Sequence, residues 1–182
     1  MGPARVRLAW GFVHPLAFND NATMQKQKDE AQQFIKGKLA EVIFEQMFRY
    51  GGSKYTVTAF GYEHVMPHIV QAAHRSHDWG LLETVQHAPD FALVSHAPER
   101  VRLVEVKYRS RFVTEQIRKD AAVTHKHWKA AWIFYATPKG FFFNKCSDLV
   151  KASYPKLERL KEDDVPMEVQ EKYLGLLNEF IR

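Results

Sequence analysis

Three charged residues lie where the sequence predicts buried β-strands. Asp90 begins the strand-like segment 90–95, while Glu105 and Lys107 lie inside the strand-like segment 101–108. Buried strands rarely carry a carboxylate and an ammonium two residues apart. Because side chains alternate along a strand, Glu105 and Lys107 share one face, and the valines between and beside them point to the other. The charged face is therefore expected to meet something other than apolar core.

The two segments are expected to pair as an antiparallel hairpin through the turn at 96–100, which brings Asp90 close to Glu105 and Lys107. Neighbouring carboxylates raise one another's pKa unless positive charge lies between them. Mg²⁺ supplies that charge, since it takes one or two carboxylates and keeps several waters. Lys107 can then orient a water and stabilise charge on a phosphoryl group. The alternative is a surface hairpin in which Glu105 and Lys107 form an ordinary ion pair.

The rest of the chain predicts the elements that hold these residues. A long helix is expected from about residue 21 to 49, and its part 34–48 is apolar almost all round, which predicts packing on more than one side. The order is then strand, strand, strand, helix, strand and further helices, which predicts an α/β sandwich with a mixed sheet between helices. The segments are strands at 55–63, 90–95, 101–108 and 130–137, a helix at 114–128, and tail helices of which the clearest is 166–181.

These residues together resemble a known group of nucleases. Pro89-Asp90 followed by Glu105-Val106-Lys107 is similar to the motif of the PD-(D/E)xK nuclease superfamily. The family's restriction-endonuclease-like core has the order α-β-β-β-α-β, which resembles the order expected here. One domain is expected over 1–182, with this core at about 24–137 and a C-terminal helical extension at about 145–182.

The resemblance implies a metal-dependent endonuclease that hydrolyses DNA. Asp90, Glu105 and the carbonyl of Val106 would bind Mg²⁺, for which Mn²⁺ substitutes, and Lys107 would position the attacking water. Compact members of the group include junction resolvases, repair enzymes and restriction-like nucleases, so selectivity for branched DNA and a homodimer are implied as well. The alternative is a catalytically inactive nucleic-acid-binding protein that keeps the fold, and a third hypothesis is an interaction domain that binds no nucleic acid.

The family also places a glutamate on its first core helix, where Glu41 and Glu45 are the candidates. Glu41 has phenylalanines on its helix face, and an unpaired carboxylate there would be costly. Glu45 has Lys38 seven residues before it and Arg49 four after it, so that its charge has local partners. We expect Glu41 to complete the metal site as a catalytic residue and keep Glu45 as the alternative.

The charge of the chain favours a polyanionic partner. There are 26 basic and 21 acidic residues, which gives a formal charge of +5. Gln116 and Lys119 are also the candidates for the further polar residue that family members carry on the helix after the lysine strand. Each basic candidate equally fits a solvated face. The candidates for contact with DNA are Arg109, Arg111, Gln116, Lys119 and Lys126.

Other features of the sequence suggest less. Tyr108, Trp128 and the run 141–143 can stack on bases, but such aromatic residues more often belong to the core. The only cysteine, Cys146, permits no internal disulfide, and no apolar run is long enough to span a bilayer, so an intracellular, cytoplasmic protein is expected. Histidine pairs suggest zinc only weakly because no cysteine lies near them. The histidines with candidate roles are His64, His68, His74, His77, His125 and His127.

Overall fold

The computed structural model describes residues 20–51, 54–61, 74–75 and 77–181. His64, His68 and the last part of the strand expected at 55–63 lie outside these residues. Within the described ranges, no helix is both long and apolar enough to cross a membrane. The elements in chain order are α1 Asp20–Tyr50, β1 Tyr55–Ala59, α2 Trp79–Gln86, β2 Phe91–His96, β3 Glu99–Tyr108, α3 Thr114–His127, β4 Trp132–Thr137, β5 Gly140–Lys145, α4 Cys146–Lys151 and α5 Met167–Phe180.

The five strands form one mixed, open sheet in the order β1-β2-β3-β4-β5. β1, β2 and β3 pair antiparallel, β3 pairs parallel with β4, and β4 pairs antiparallel with β5. A parallel pair needs a crossover connection, and α3 supplies it between β3 and β4. The protein is therefore an α/β fold, as the alternation of elements predicts.

Helices cover both faces of the sheet. The larger core cluster joins α1 and α5 to one face, and its members come from nearly the whole described length, from Ala40 to Leu177. The smaller cluster joins α3 and α4 to the other face through Ile117, Ile133, Tyr135 and Leu149. Val104, Val106 and Tyr108 of β3 lie in the larger cluster, so Glu105 and Lys107 must point toward the layer that holds α3.

The long helix differs in part from expectation. Ala40, Phe44 and Met47 are fully buried against the sheet and α5, which agrees with packing against two partners. Phe34 and Ile35, however, are 66% and 64% exposed. The expected packing on more than one side is therefore confirmed only from Ala40 onward, because residues 34 and 35 lie off the stripe of α1 that reaches the core.

Two elements were not expected. α2 lies within a histidine-rich segment that has no clear periodicity, and it begins with an Asp78 cap whose carboxylate accepts the Leu81 N–H at 3.0 Å. β5 follows β4 through a tight turn at Pro138–Lys139, where the expected strand was taken to end and helices to follow. Its outer edge pairs with residues 158–160, since Phe143 and Leu160 donate backbone hydrogen bonds across it.

Candidate active site

The expected charged residues line one cleft. Asp90, Glu105, Lys107 and Glu41 all contribute to its wall, and its volume is about 600 Å³. Asp90 directly precedes β2, whereas Glu105 and Lys107 lie on one face of β3. Glu41 lies on α1, in the layer on the opposite side of the sheet. The antiparallel pairing of β2 with β3 confirms the hairpin that predicted the approach of Asp90 to the Glu105-Val106-Lys107 segment.

The backbone holds Asp90 firmly in place. The pairing of β2 with β3 ends at Phe91 and Val104, so the backbone of β3 beyond Val104 has no strand partner on this side. The Asp90 side chain takes the place of that partner. Its Oδ2 accepts the Val106 N–H at 2.7 Å. Its backbone carbonyl accepts the N–H groups of Phe60 and Gly61 at 2.8 and 3.1 Å. Because one carboxylate oxygen is used for the fold, Oδ1 is the oxygen left to face the cleft.

The environment of Asp90 disfavours its ionised form. Burial, followed by the charge of Glu105 and more weakly that of Glu41, raises the pKa of Asp90 to about 7. The Val106 N–H and the Lys107 ammonium act in the opposite direction but do not offset these effects. A buried carboxyl group next to other carboxylates is disfavoured as an anion, and a ligand that brings positive charge to it would relieve this.

Lys107 donates to Glu105 in a close ion pair on the charged face of β3. Burial acts to lower the pKa of Lys107, but Glu105, Asp90 and Asp120 outweigh it and raise that pKa above its usual value. The lysine is therefore a permanent cation in this cleft. It is also the cation that lies nearest the acids of the strand pair, two residues from Glu105 on the same face.

The pairing of the helix glutamates was predicted correctly for Arg49 and wrongly for Lys38. Lys38 donates to Glu41 Oε2 at 3.0 Å, so Glu41 is neither unpaired nor in a closed apolar stripe; its side chain is 24% exposed. Glu45 pairs with Arg49 at 2.7 Å, as expected. Glu45 is not among the described residues that line the cleft, whereas Glu41 and Lys38 both are. The placement thus favours Glu41, but for a different reason from burial.

The oxygen atoms of the cleft are of the kind that binds a divalent cation. Asp90, Glu105 and Glu41 offer carboxylate oxygens, the donors that Mg²⁺ prefers, and two carboxylates are sufficient for it. The carbonyl of Val106 lies on the same strand edge as its N–H, toward Asp90, because both groups of one residue point to one side of a strand. Lysines hold Glu105 and Glu41, and no compact group of three or more acidic, histidine or cysteine side chains occurs among the described residues. The residues therefore fit a cation held by two carboxylates and water.

Arg109 has a different environment from the one expected for a DNA contact. Its guanidinium forms a bidentate pair with the buried Asp120, with N···O distances of 2.6 to 3.0 Å. Gln116 donates to the same carboxylate at 2.8 Å, and the Tyr135 hydroxyl lies 3.4 Å from it. Arg109 and Gln116 are thus committed to a side-chain network between β3 and α3. Asp120 and Arg109 form part of the cleft wall, but Gln116 does not.

The other basic candidates differ in whether they line the cleft. Lys119 lines the cleft from α3. Arg111 is exposed beyond the end of β3, and Lys126 pairs with Glu83 at 2.8 Å on the outer side of α3. Lys36, which was not considered, holds its ammonium 5.8 Å from the centre of the Tyr108 ring at the same end of β3.

The aromatic residues belong mainly to the core. Tyr108 and residues 141 and 143 are buried in the larger cluster, and the Trp128 indole N–H donates to the Thr84 carbonyl at 3.2 Å. Of the histidines, His127 stacks on His87 with ring centres 4.4 Å apart. His87 lines the cleft, whereas His125 and His127 were the histidines of this region that the sequence suggested for a role.

Some of these residues had no usable signal in the sequence. Asp120 is eleven residues from Arg109, and only the crossover through α3 brings them together. Lys38 is three residues before Glu41, a spacing at which helical side chains do meet, so this pair was within reach of the sequence. Comparisons with protein-family models, with curated proteins and with solved structures found no match for this chain. The function is therefore argued from the chemistry of the cleft.

Proposed function

We propose that this protein is a metal-dependent nuclease of the PD-(D/E)xK type that hydrolyses phosphodiester bonds in DNA. One observation carries the proposal: Asp90, Glu105 and Glu41 line a single cleft with Lys107, and the pKa of Asp90 is raised to about 7 by burial and by the other two acids. A cleft in which three carboxylates lie with the ammonium of Lys107 suits a hard metal ion and an anionic substrate.

The arrangement of the elements supports the same reading. α1 packs on a sheet in which an antiparallel hairpin, β2–β3, carries the motif, and α3 then crosses over to the parallel strand β4. This order is compatible with the restriction-endonuclease-like core. α2, which lies between β1 and β2, and the antiparallel β5 would be additions to that core.

The roles of the residues follow from their positions. Asp90 and Glu105 would hold Mg²⁺ together with the Val106 carbonyl, and Glu41 would bind it directly or through water. The bound metal ion would activate a water and offset the charge that develops on the phosphoryl group. Lys107 would then be released from Glu105 to orient the attacking water and to stabilise the same charge. Lys119, with Arg111 beyond the strand end, would contact backbone phosphates without reading sequence.

Cleavage assays test the proposal directly. Purified protein is incubated with supercoiled, linear, single-stranded and four-way DNA, each with Mg²⁺, with Mn²⁺ and with a chelator. We expect cleavage only with metal, and we expect Asp90→Ala and Lys107→Ala to abolish it while folding and binding to DNA persist. Salt-dependent binding without cleavage in the unaltered protein would instead support an inactive nucleic-acid-binding protein. No binding at low salt would indicate an interaction domain unrelated to DNA.

A matched pair of variants tests the helix glutamate. Glu41→Gln removes the charge that lines the cleft, and Glu45→Gln removes a charge one turn along the same helix that pairs with Arg49. We expect the first to lose most of its activity and the second to stay active. The reverse result would assign the metal site to Glu45. Size-exclusion chromatography with and without four-way DNA tests the homodimer that the resemblance to resolvases implies.

A further inference from the structure

His87 is placed at the cleft by the end of α2. It follows the last residue of that helix, and its Nδ1 lies 2.8 Å from the carbonyl oxygen of Glu83, one turn back. A carbonyl oxygen only accepts hydrogen bonds, so Nδ1 must carry a proton and donate it. Nε2, on the far side of the ring from Nδ1, is therefore directed away from the helix and is the nitrogen free to gain or lose a proton. The ring is part of the cleft wall.

The ring is also held by α3. His127 stacks on it at 4.4 Å between ring centres, with an interplanar angle of 16°. Glu83 ties the two helices together, since its carboxylate accepts from Lys126 at 2.8 Å and lies 3.6 Å from His127 Nε2. Burial, His87 and Lys126 lower the pKa of His127, which keeps that partner neutral. The charged and titratable groups around His87 are thus Glu83, Lys126 and His127, with Asp90 three residues further along the chain.

The proposed hydrolysis leaves one chemical task without a residue. Asp90 and Glu105 would hold the metal ion, with Glu41 bound to it directly or through water, and Lys107 would orient the attacking water. When the bond between phosphorus and the leaving oxygen breaks, that oxygen takes the electron pair and needs a proton. Histidine is the side chain best suited to proton exchange near neutral pH. Among the cleft-lining residues that the structure describes, His87 is the histidine.

We infer that His87 is the general acid that protonates the leaving oxygen, an assignment that rests on the proposed nuclease function. Water attacks phosphorus, forms one P–O bond and releases a proton to solvent, and the bond to the leaving oxygen breaks. The proton on Nε2 passes to that oxygen and produces an alcohol. His87 is left neutral, with Nδ1–H still donating to Glu83, and regains its proton from solvent. The hydrogen bond and the stacking on His127 fix the direction in which the proton is offered.

His87→Asn tests this role, because an asparagine amide can replace the Nδ1–H donor to Glu83 but has no proton to give. We expect kcat on ordinary DNA to fall about 10²-fold with KM nearly unchanged. The second substrate is an oligonucleotide with one bridging phosphorothiolate, made in 3′ and 5′ forms. A thiolate leaves without a proton, so the variant is expected to match unaltered protein at that linkage in one of the two forms. His96→Asn, at the outer end of β2 and hydrogen-bonded to Thr56, is the control and should cleave both substrates normally.

Two results would overturn the inference while leaving the nuclease proposal intact: normal cleavage of ordinary DNA by His87→Asn, or an equal loss at ordinary and sulfur-bridged linkages in both forms. The second would make His87 a residue that only shapes the cleft. If the unaltered protein shows no metal-dependent cleavage, or if Asp90→Ala cleaves normally, the nuclease proposal itself fails and the role of His87 falls with it.

Discussion

Two groups of acidic and basic side chains lie side by side at the end of β3, and they differ in how well their buried carboxylate is stabilised. In the first, Asp120 accepts hydrogen bonds from Arg109 and Gln116, with the Tyr135 hydroxyl close by, so that the buried carboxylate is fully satisfied. In the second, Asp90 shares the cleft with further acids, and its pKa is raised to about 7 by burial and by their charge. The two groups are separated by only two residues along one strand, since Lys107 belongs to the second and Arg109 to the first.

The first group stabilises the fold, and the second is the one that we propose to bind a metal ion. A buried carboxylate with a bidentate guanidinium and further donors needs no additional ligand. A buried carboxylate next to others is disfavoured as an anion, which lowers the stability of the fold, and a ligand that supplies positive charge would offset this. The sequence did not predict this difference, because Arg109 was expected to contact DNA and no role was expected for Asp120.

The largest expected effect is on activity, in the second group. Lys107→Met removes the fixed cation but keeps an aliphatic chain of similar length. We expect metal-dependent cleavage of DNA to fall by about 10²- to 10³-fold, because charge on the phosphoryl group loses its partner. Thermal unfolding verifies that the variant remains folded. Initial rates on supercoiled DNA measure the loss. A variant that cleaves within twofold of the unaltered protein would remove Lys107 from the site.

The next effect is on stability, in the first group. Asp120→Ala leaves the Arg109 guanidinium without its carboxylate. Arg109 retains partial exposure, with 28% of its side chain accessible, so we expect a loss of roughly 2 to 3 kcal/mol, somewhat less than for a completely buried pair. Denaturant unfolding measures it. If stability were unchanged while cleavage vanished, the roles of the two groups would have to be exchanged.

A smaller effect concerns the pH dependence of stability. The pKa of Asp90 in the folded protein is about 7, above the usual value of 3.8 for an aspartate, so the folded state binds its proton more tightly than the unfolded state. This contribution is fully present below about pH 4 and is lost as the pH rises through 7. Asp90→Asn keeps the acceptor for the Val106 N–H and removes the charge. We therefore expect the variant to gain stability relative to the unaltered protein as the pH rises from 4 to 8 in the absence of divalent cations. The expected gain in the free energy of unfolding is on the order of 2 kcal/mol.

Unfolding in chelator at several pH values measures this difference. An advantage of the variant that stays constant from pH 4 to 8 would contradict the raised pKa. Arg109 and Asp120 offer the contrast, since Asp120→Asn should lower stability at pH 8, where the pair is fully charged.

Local patterns in the sequence predict most of the fold. Strict alternation in 101–108 correctly separates Val104, Val106 and Tyr108 from Glu105 and Lys107, because the period of a strand requires it. The C-terminal helix, expected at 166–181, is confirmed as α5 with Pro166 at its N-cap. β5 was missed since a run of three phenylalanines after a turn has neither a helical nor an alternating pattern of its own.

The candidate site was predictable where the chain itself brings residues together. The β2–β3 pairing places Asp90 by register alone. The Arg109–Asp120 pair depends on how α3 packs over β3, and the position of His87 depends on α2, so neither follows from sequence spacing. Lys38 was expected to pair with Glu45, seven residues away, but it pairs with Glu41. Side chains three residues apart on a helix lie closer together than side chains two turns apart.

The central claim is that the acids of the cleft form a cation site, and binding of Mn²⁺, followed by electron paramagnetic resonance, tests it most directly. We predict saturable binding to the unaltered protein, at least about tenfold weaker binding to Asp90→Asn, and unchanged binding to Asp120→Asn, since the loss of one carboxylate ligand costs more than a change in a satisfied pair. Equal binding by all three proteins, or no binding at millimolar Mn²⁺, would contradict the account.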